Sequence, residues 1–393
     1  MCATLAACGD DTSGGGAPDA GLIDTTPRDG AKGGVDSALP GNTPRLTIIN
    51  ATHDLGPNAN VGTSAAVRFC FKQGSVAQNL SVAPVPPLPA TAVSGSPSGA
   101  PAGLYYGAGV TFTTGSVDFA GRIVVPIAMN VRSLGIAGEA TCDQLVGDTA
   151  DAGFGDGLRE NIDYWTLPRI EVGSIANGKS YILALTGCVG DATTPNPGKC
   201  GAGFVSGGGP GLGNLALTTY ETTAPAMPST APLGARFLHL STQANAFFSQ
   251  ATAKGSIKPG FVSNPADGGG FRPITDVDPP LGKLSALSAV TDVTDGDSFV
   301  LGPKSLNPTE AARGVPLLPS SLAAIQTASG LGPSTGGSVY QNGQSYVFIA
   351  VGDPDTTETK PFLKPDGTPG GDGGDGSRFN PRFFHFLAYP TGL

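Results

Sequence analysis

The run Gly173-Ser174-Ile175-Ala176-Asn177-Gly178-Lys179-Ser180 has the letters of a phosphate-cradling loop, G-x-x-x-x-G-K-S. Such a loop works by opening a helix whose first amides face the phosphates. The next residues here are Tyr181-Ile182-Leu183-Ala184-Leu185, an apolar run that predicts a strand. The expectation is an Asn-Gly hairpin turn, with no nucleotide site. Farther on, Gly370 to Gly376 sets Asp372 and Asp375 on a glycine backbone, a donor set suited to calcium. Calcium-binding Gly-Asp repeats stack several turns per site, and this run occurs once. A solvated loop is expected, with Asp372 and Asp375 as the calcium candidates. Asp151, Asp156, Asp353 and Asp355 are further loop acids.

Three histidines are present, His53, His239 and His385. His239 and His385 sit at equivalent-looking places in aromatic strands, where a satisfied, half-buried imidazole is the ordinary outcome. His53-Asp54 could orient a base for a serine, but no G-x-S-x-G stands between a predicted strand and a predicted helix, as a nucleophile elbow requires. Gly296-Asp297-Ser298 has the letters of a hydrolase block without a recognisable companion acid and histidine. Trp165 beside Tyr164 could stack on a sugar, though core packing is the expected role. The glycine-rich segment Gly207 to Gly213 has no helix after it and reads as loop. No catalytic residue and no cofactor is assigned, and the chain is not expected to be an enzyme.

The cysteines carry a different chemistry. Leu5-Ala6-Ala7-Cys8 matches the lipobox of bacterial lipoproteins, an apolar and two small residues before a cysteine. That resemblance implies diacylglycerol on the Cys8 thiol and cleavage just before it, where small residues let a peptidase approach. Only seven residues precede Cys8, without a basic or fully apolar leader, so residues 1–8 are expected to be a signal-peptide remnant. Residues 9–43, rich in Gly, Asp, Ala, Pro and Thr, cannot bury enough apolar surface to offset ordering entropy. They read as a disordered tether with a reach of about 30 Å. Gly9 stands where inner-membrane retention in enteric bacteria would require Asp, which favours the outer membrane, facing periplasm or cell surface. Cys2 falls in the leader. Cys70, Cys142, Cys188 and Cys200 then form an even set in an exported chain, which predicts disulfides. Three connectivities are possible. Cys188 and Cys200 flank one loop and are the favoured pair, with Cys70–Cys142 as the other. Paired C-x-x-C motifs for zinc are absent.

The elements that must position these groups are short. The 393 residues include 60 glycines and 35 prolines, close to a quarter of the chain, yet 39% are hydrophobic and come in brief β-branched and aromatic runs. Strands joined by many turns and long loops are predicted. Charged residues make up 13% with a net charge of -9, and the 22 Lys and Arg are scattered. That distribution disfavours nucleic-acid binding and a polybasic membrane surface. No stretch reaches the roughly 18 apolar residues of a spanning helix.

An internal repeat sets the plan. Asn177-Gly178-Lys179-Ser180-Tyr181-Ile182-Leu183 returns as Asn342-Gly343-Gln344-Ser345-Tyr346-Val347-Phe348. Each copy is succeeded by a Gly- and Pro-rich loop, then a strand ending in Tyr-x-Thr, at Tyr220-Glu221-Thr222 and Tyr389-Pro390-Thr391. Arg45 to Ile49 and Arg236 to Leu240 both read as basic-led opening strands. Further strands are predicted at Ala66 to Phe71, Gly109 to Thr114, Arg122 to Met129, Thr166 to Val172 and Ser298 to Leu301. Short helical turns are predicted around Ala140 to Val146 and Ser320 to Ala328. The fold class expected is all-β: two tandem β-sandwich domains of immunoglobulin or transthyretin type, 44–228 and 233–393, after the tether.

The stretch Pro44-Arg45-Leu46-Thr47-Ile48-Ile49-Asn50-Ala51-Thr52-His53-Asp54-Leu55-Gly56-Pro57 resembles the opening of domain-of-unknown-function family 4397. The later Gly-x-x-Tyr strand of that family is similar to Gly178 to Leu185 and Gly343 to Val351. The second opening keeps Arg236, His239 and Thr242 but lacks the Asp and Pro. The resemblance implies tandem β-sandwiches in the bacterial envelope and no particular activity. Two functional expectations result. One is a lipid-anchored envelope protein with a non-catalytic binding, adhesion or structural role. Its partners would be the membrane, through Cys8, and an envelope protein or glycan. The other is an exported hydrolase or carbohydrate-binding protein with a site built from loops.

Overall fold

The chain is described by a computed structural model. It describes residues 43–52, 66–74, 84–85, 103–113, 117–130, 141–146, 158–161, 163–189, 200, 213–242, 244, 257–263, 270–275, 279–303, 318–329, 331, 339–352 and 384–391. Among these the protein is almost entirely β-structure.

The first half contributes β1 (Arg45–Asn50), β2 (Ala66–Gln73), β3 (Leu104–Tyr105), β4 (Gly109–Thr113), β5 (Val124–Asn130), α1 (Cys142–Val146), β6 (Tyr164–Thr166), β7 (Ser180–Thr186) and β8 (Ala216–Glu221). The second contributes β9 (Leu233–Leu240), β10 (Ile257–Ser263), β11 (Phe271–Pro273), β12 (Ser288–Val290), β13 (Asp297–Pro303), β14 (Leu318–Ser321), α2 (Leu322–Ala328), β15 (Ser345–Gly352) and β16 (Phe384–Pro390). They form four sheets, ordered β4-β1-β7-β8, β3-β2-β5-β6, β12-β9-β15-β16 and β11-β10-β13-β14. Strand for strand, the second half repeats the topology of the first.

Each half closes two sheets over an apolar interior, the arrangement of a β-sandwich. Alternation places Leu46, Ile48, Val67, Phe69, Phe71, Tyr181 and Leu183 in the first interior. The second is more aromatic. Phe261 and Phe386 meet Phe299 edge-on, Phe348 lies flat against Phe299 with centroids 5.2 Å apart, and Tyr340 and Tyr346 complete the group.

Among the described strands each half has a single parallel pair, at its centre, β1 with β7 and β9 with β15. The register opposes Leu46 to Tyr181 and Ala235 to Tyr346. Arg236 therefore corresponds to Thr47, and Gly234 to Arg45. This corrects the alignment of the two arginine-led openings. A slip of two residues leaves every side chain on its own face, so the letter pattern could not detect it. The same register makes Asn50 the counterpart of His239. His385 lies in the edge strand β16 opposite Val351, so His239 and His385 are not equivalent positions.

Other expectations need correction. Thr166 to Val172 is not one strand, because β6 ends at Thr166 and Ile170 makes only an isolated bridge to Val124. The sequence pattern predicts no strand at β10, because Pro259 and Gly260 interrupt it. Pro259 lies beyond the last residue paired with β11, and its carbonyl still accepts from Ile274 N–H at 3.0 Å. Gly260 is required, since a Cβ there would lie 2.5 Å from the Phe271 ring.

Two disulfides, Cys70–Cys142 and Cys188–Cys200, tie the first half. The former pins α1 to the outward face of β2, beside the buried Arg68. Closing loops with separations of 72 and 12 residues contributes about 4 and about 3 kcal/mol in the chain-entropy picture. Asn214 holds the short loop, accepting from Cys188 N–H and donating to the Cys200 carbonyl, both at 2.9 Å.

Candidate functional site

The phosphate-loop letters at Gly173 to Ser180 fold into turns that feed β7. Gly178 takes a φ of 70°, a left-handed conformation suited to glycine, as does Gly343 in the second copy at 76°. The amides of the run are committed internally. Ser174 N–H donates to the Glu171 carbonyl at 3.1 Å, and Ala176 N–H to the Tyr181 hydroxyl at 2.8 Å. Gly178 N–H donates to the Thr43 carbonyl at 3.3 Å. Lys179 pairs with Glu221 at 2.8 Å, and that hydrogen bond raises its pKa. The hairpin expectation is corrected in one respect. The preceding strand, β6, belongs to the other sheet, so the turn crosses between sheets before β7 pairs with β1 and β8.

His239 is the penultimate residue of β9, with its ring in line with Phe237, against the second interior. Its Nδ1 accepts from Ser241 N–H at 3.4 Å, which requires the neutral ring with the proton on Nε2. Burial pushes its pKa down to about 4. In the first half Asn50 does the same work: its Oδ1 accepts from Thr52 N–H at 3.2 Å and its Nδ2 donates to the Leu104 carbonyl at 3.0 Å. The shared role is to close the backbone at the end of a central strand.

Asp297, from the hydrolase-like letters, is buried. It pairs with Arg272 at 2.8 Å and accepts from Thr294 N–H at 2.6 Å. Arg272 in turn donates to the carbonyls of Thr291 and Asp292, so this pair clamps the turn before β13. Trp165 packs in the first interior and Tyr164 is half-buried beside it. Among the described residues no three His, Cys, Asp or Glu side chains gather in a way that could hold a metal. Cys2, Cys8, His53, Asp54, Asp151, Asp156, Asp353, Asp355, Asp372, Asp375, the side chain of His385 and most of Gly207 to Gly213 lie outside the described residues.

The structure brings together a set that no motif announced. A third apolar cluster joins the outer faces of the β1/β7 and β9/β15 sheets. Ile49, Ala51, Ile182 and Ala184 from one half meet Leu238, Leu240, Val347 and Ile349 from the other. In the strand registers these are matching positions: Ile49 with Leu238, Ala51 with Leu240, Ile182 with Val347, and Ala184 with Ile349. A surface built from the same patch on both partners is the signature of two-fold association, here within one chain.

The tyrosines of the repeated Tyr-x-Thr make the reciprocity explicit. Tyr389 places its ring over Gly109, where any Cβ would collide with it. Its partner Tyr220 reaches toward Gly282, 3.8 Å from where a Cβ would stand. Gly107 and Gly282 both donate to the end of the adjacent central strand, to Asn50 and His239 carbonyls at 2.8 and 2.7 Å. Both hold positive φ, at 71° and 68°. Ala224 N–H to the Thr391 carbonyl, at 3.1 Å, adds a polar tie between the halves. The repeated Tyr-x-Thr was the available signal, but a tyrosine near a strand end reads equally as core.

No family model matches the chain, and no curated protein matches it. A solved structure described as a putative cell adhesion protein from Bacteroides eggerthii is 9% identical and aligns over 90% of this chain and 97% of its own, with a TM-score of 0.17. A second, described in the same words and from Parabacteroides distasonis, is 10% identical over 90% of this chain and 98% of its own, with a TM-score of 0.18. At these TM-scores the likeness carries no weight on function.

Proposed function

We propose that this chain is a lipid-anchored protein of the bacterial cell envelope with a non-catalytic binding, adhesion or structural role. The observation that carries the reading is the fusion of four sheets into one stack through the Ile49–Leu238 cluster. A stack of this kind presents loops on a stiff support, and the lipobox at Leu5 to Cys8 supplies its attachment. The polar groups with catalytic-looking letters support the same reading: Lys179, His239 and Asp297 are each engaged in internal contacts. The division into 44–228 and 233–393, the outer-membrane location and the likeness to domain-of-unknown-function family 4397 belong to this proposal. An envelope protein or glycan is the partner class.

The anchor is tested by metabolic labelling with a palmitate analogue and membrane fractionation, comparing the chain with its Cys8→Ala variant. Label and membrane retention should both be lost in the variant. Labelling that persists without Cys8 refutes the anchor.

A further inference from the structure

The two edge strands that correspond by the repeat, β8 and β16, are finished differently. Thr222 N–H donates to the Ser180 carbonyl at 2.8 Å, and Thr391 N–H to the Ser345 carbonyl at 2.9 Å. Antiparallel ladders alternate, so these bonds decide which backbone groups face away from the sheet. On β16 the outward residues are Phe386, Ala388 and Pro390. Pro390 has no N–H to offer, and Ala388 N–H is taken by the Ser329 hydroxyl, at the C-cap of α2, at 2.8 Å. This edge is closed.

On β8 the outward residues are Leu217, Thr219 and Glu221. The first half has no described helix at the place of α2, and Glu221 stands where β16 has Pro390. Among the described residues nothing pairs with this edge. The strand carries one charge, Glu221, which Lys179 already neutralises at 2.8 Å. Natural edges are commonly protected by lysine, proline or a covering element, and β8 has none of these among the described residues.

We propose that β8 is a homotypic docking edge, which pairs antiparallel with β8 of a second copy about a two-fold axis at Thr219. That register opposes Thr219 to Thr219 and Leu217 to Glu221, and each opposed pair exchanges two backbone hydrogen bonds. It sets a threonine pair on the axis, a favourable cross-strand combination, and keeps the two glutamates apart. A second copy fits better than an unrelated strand because the edge is self-complementary and its only charge is satisfied from within. Two four-stranded sheets would join into one of eight strands.

The test uses the full chain carrying Cys8→Ala, studied by sedimentation velocity from about 1 μM to about 1 mM, a range that covers interfaces smaller than about 1,200 Å². A concentration-dependent dimer is expected. Thr219→Pro, which removes the axial N–H, and Thr219→Lys, which opposes two charges, should each weaken it at least tenfold while leaving the melting temperature within a few degrees. Hydrogen exchange of the unsubstituted strand gives an independent reading. The Leu217, Thr219 and Glu221 amides should slow as concentration rises, while the exposed Ala289 on the edge strand β12 does not change. A monomer throughout the range, or a dimer whose β8 amides exchange as fast as the monomer's, overturns the proposal. The first result would leave the edge to a strand from a different protein.

Discussion

Gly109→Ala is the most direct test of the contact that makes the two halves one body. A Cβ at this position would strike the Tyr389 hydroxyl, and would lie 2.9 Å from the Tyr389 Cζ and 3.2 Å from the Ile48 carbonyl oxygen. Neither neighbour can withdraw easily. Ile48 is locked in the centre of its sheet, and Tyr389 is only 2% exposed among Leu238, Val347 and Leu387. Overpacking of this kind costs about 1–3 kcal/mol. Replacing glycine in a strand returns roughly 0.5–1 kcal/mol of backbone entropy. The net loss expected is about 1–2 kcal/mol. Tyr389→Phe should act in the other direction, because the buried hydroxyl has no hydrogen-bond partner among the described residues. Removing an unsatisfied buried group recovers part of a penalty of about 1–3 kcal/mol. The double variant should then recover part of the Gly109→Ala loss, because the hydroxyl collision is removed while the Cζ and Ile48 contacts stay, with a coupling of about 0.5–1 kcal/mol. Urea denaturation of the four proteins measures all three quantities. Strict additivity, or a Gly109→Ala loss below about 0.3 kcal/mol, would refute the packing argument.

Two further perturbations test internal polar groups. His239 titrates near 4 in the folded chain against 6.5 when unfolded, so the unfolded state takes up the proton first as pH falls. Stability from this group is complete above pH 6.5 and declines between 6.5 and 4, by at most about 3 kcal/mol. His239→Asn, which installs the residue used at the matching Asn50, should remove that slope. A pH 7 to pH 5 stability difference equal to that of the unsubstituted chain would count against it. Arg272→Met leaves the Asp297 carboxylate buried with, among the described residues, the Thr294 N–H as its remaining partner, and should cost about 2–4 kcal/mol. Adding Asp297→Asn should restore much of the loss. A single-variant cost under about 0.5 kcal/mol would show that the pair does not hold the turn.

Much of the local order was legible because it is written within a few residues. The Asn-Gly turn ahead of an apolar run marked β7 and β15, and the repeat of that pattern predicted that β16 would close the second half as β8 closes the first. Short helices near Val146 and Ala328 were also visible. Strands broken by glycine and proline were not. The register that opposes Pro259 to Leu301 is decided by partner strands far away in sequence. Candidate chemistry suffered from the same distance. Lys179 and Asp297 acquire their roles from Glu221 and Arg272, 42 and 25 positions away, and no local pattern names those partners.

Short-range pattern alone was enough for an all-β chain with duplicated halves, because alternation, turn residues and internal similarity are properties of short segments. Among the three possible cysteine connectivities it favoured Cys188–Cys200 with Cys70–Cys142, on the single ground that the first pair flanks one loop. Which faces of the central sheets are interior on both sides is a matter of tertiary packing. Ile182 and Val347 look like ordinary strand residues until the opposite half covers them. Burial is a property of what lies across a face, and for these residues that is a segment more than fifty positions away. The same holds at the edges, where Pro390 and Ser329 close one strand and the outward amides of the equivalent strand β8 have no partner among the described residues.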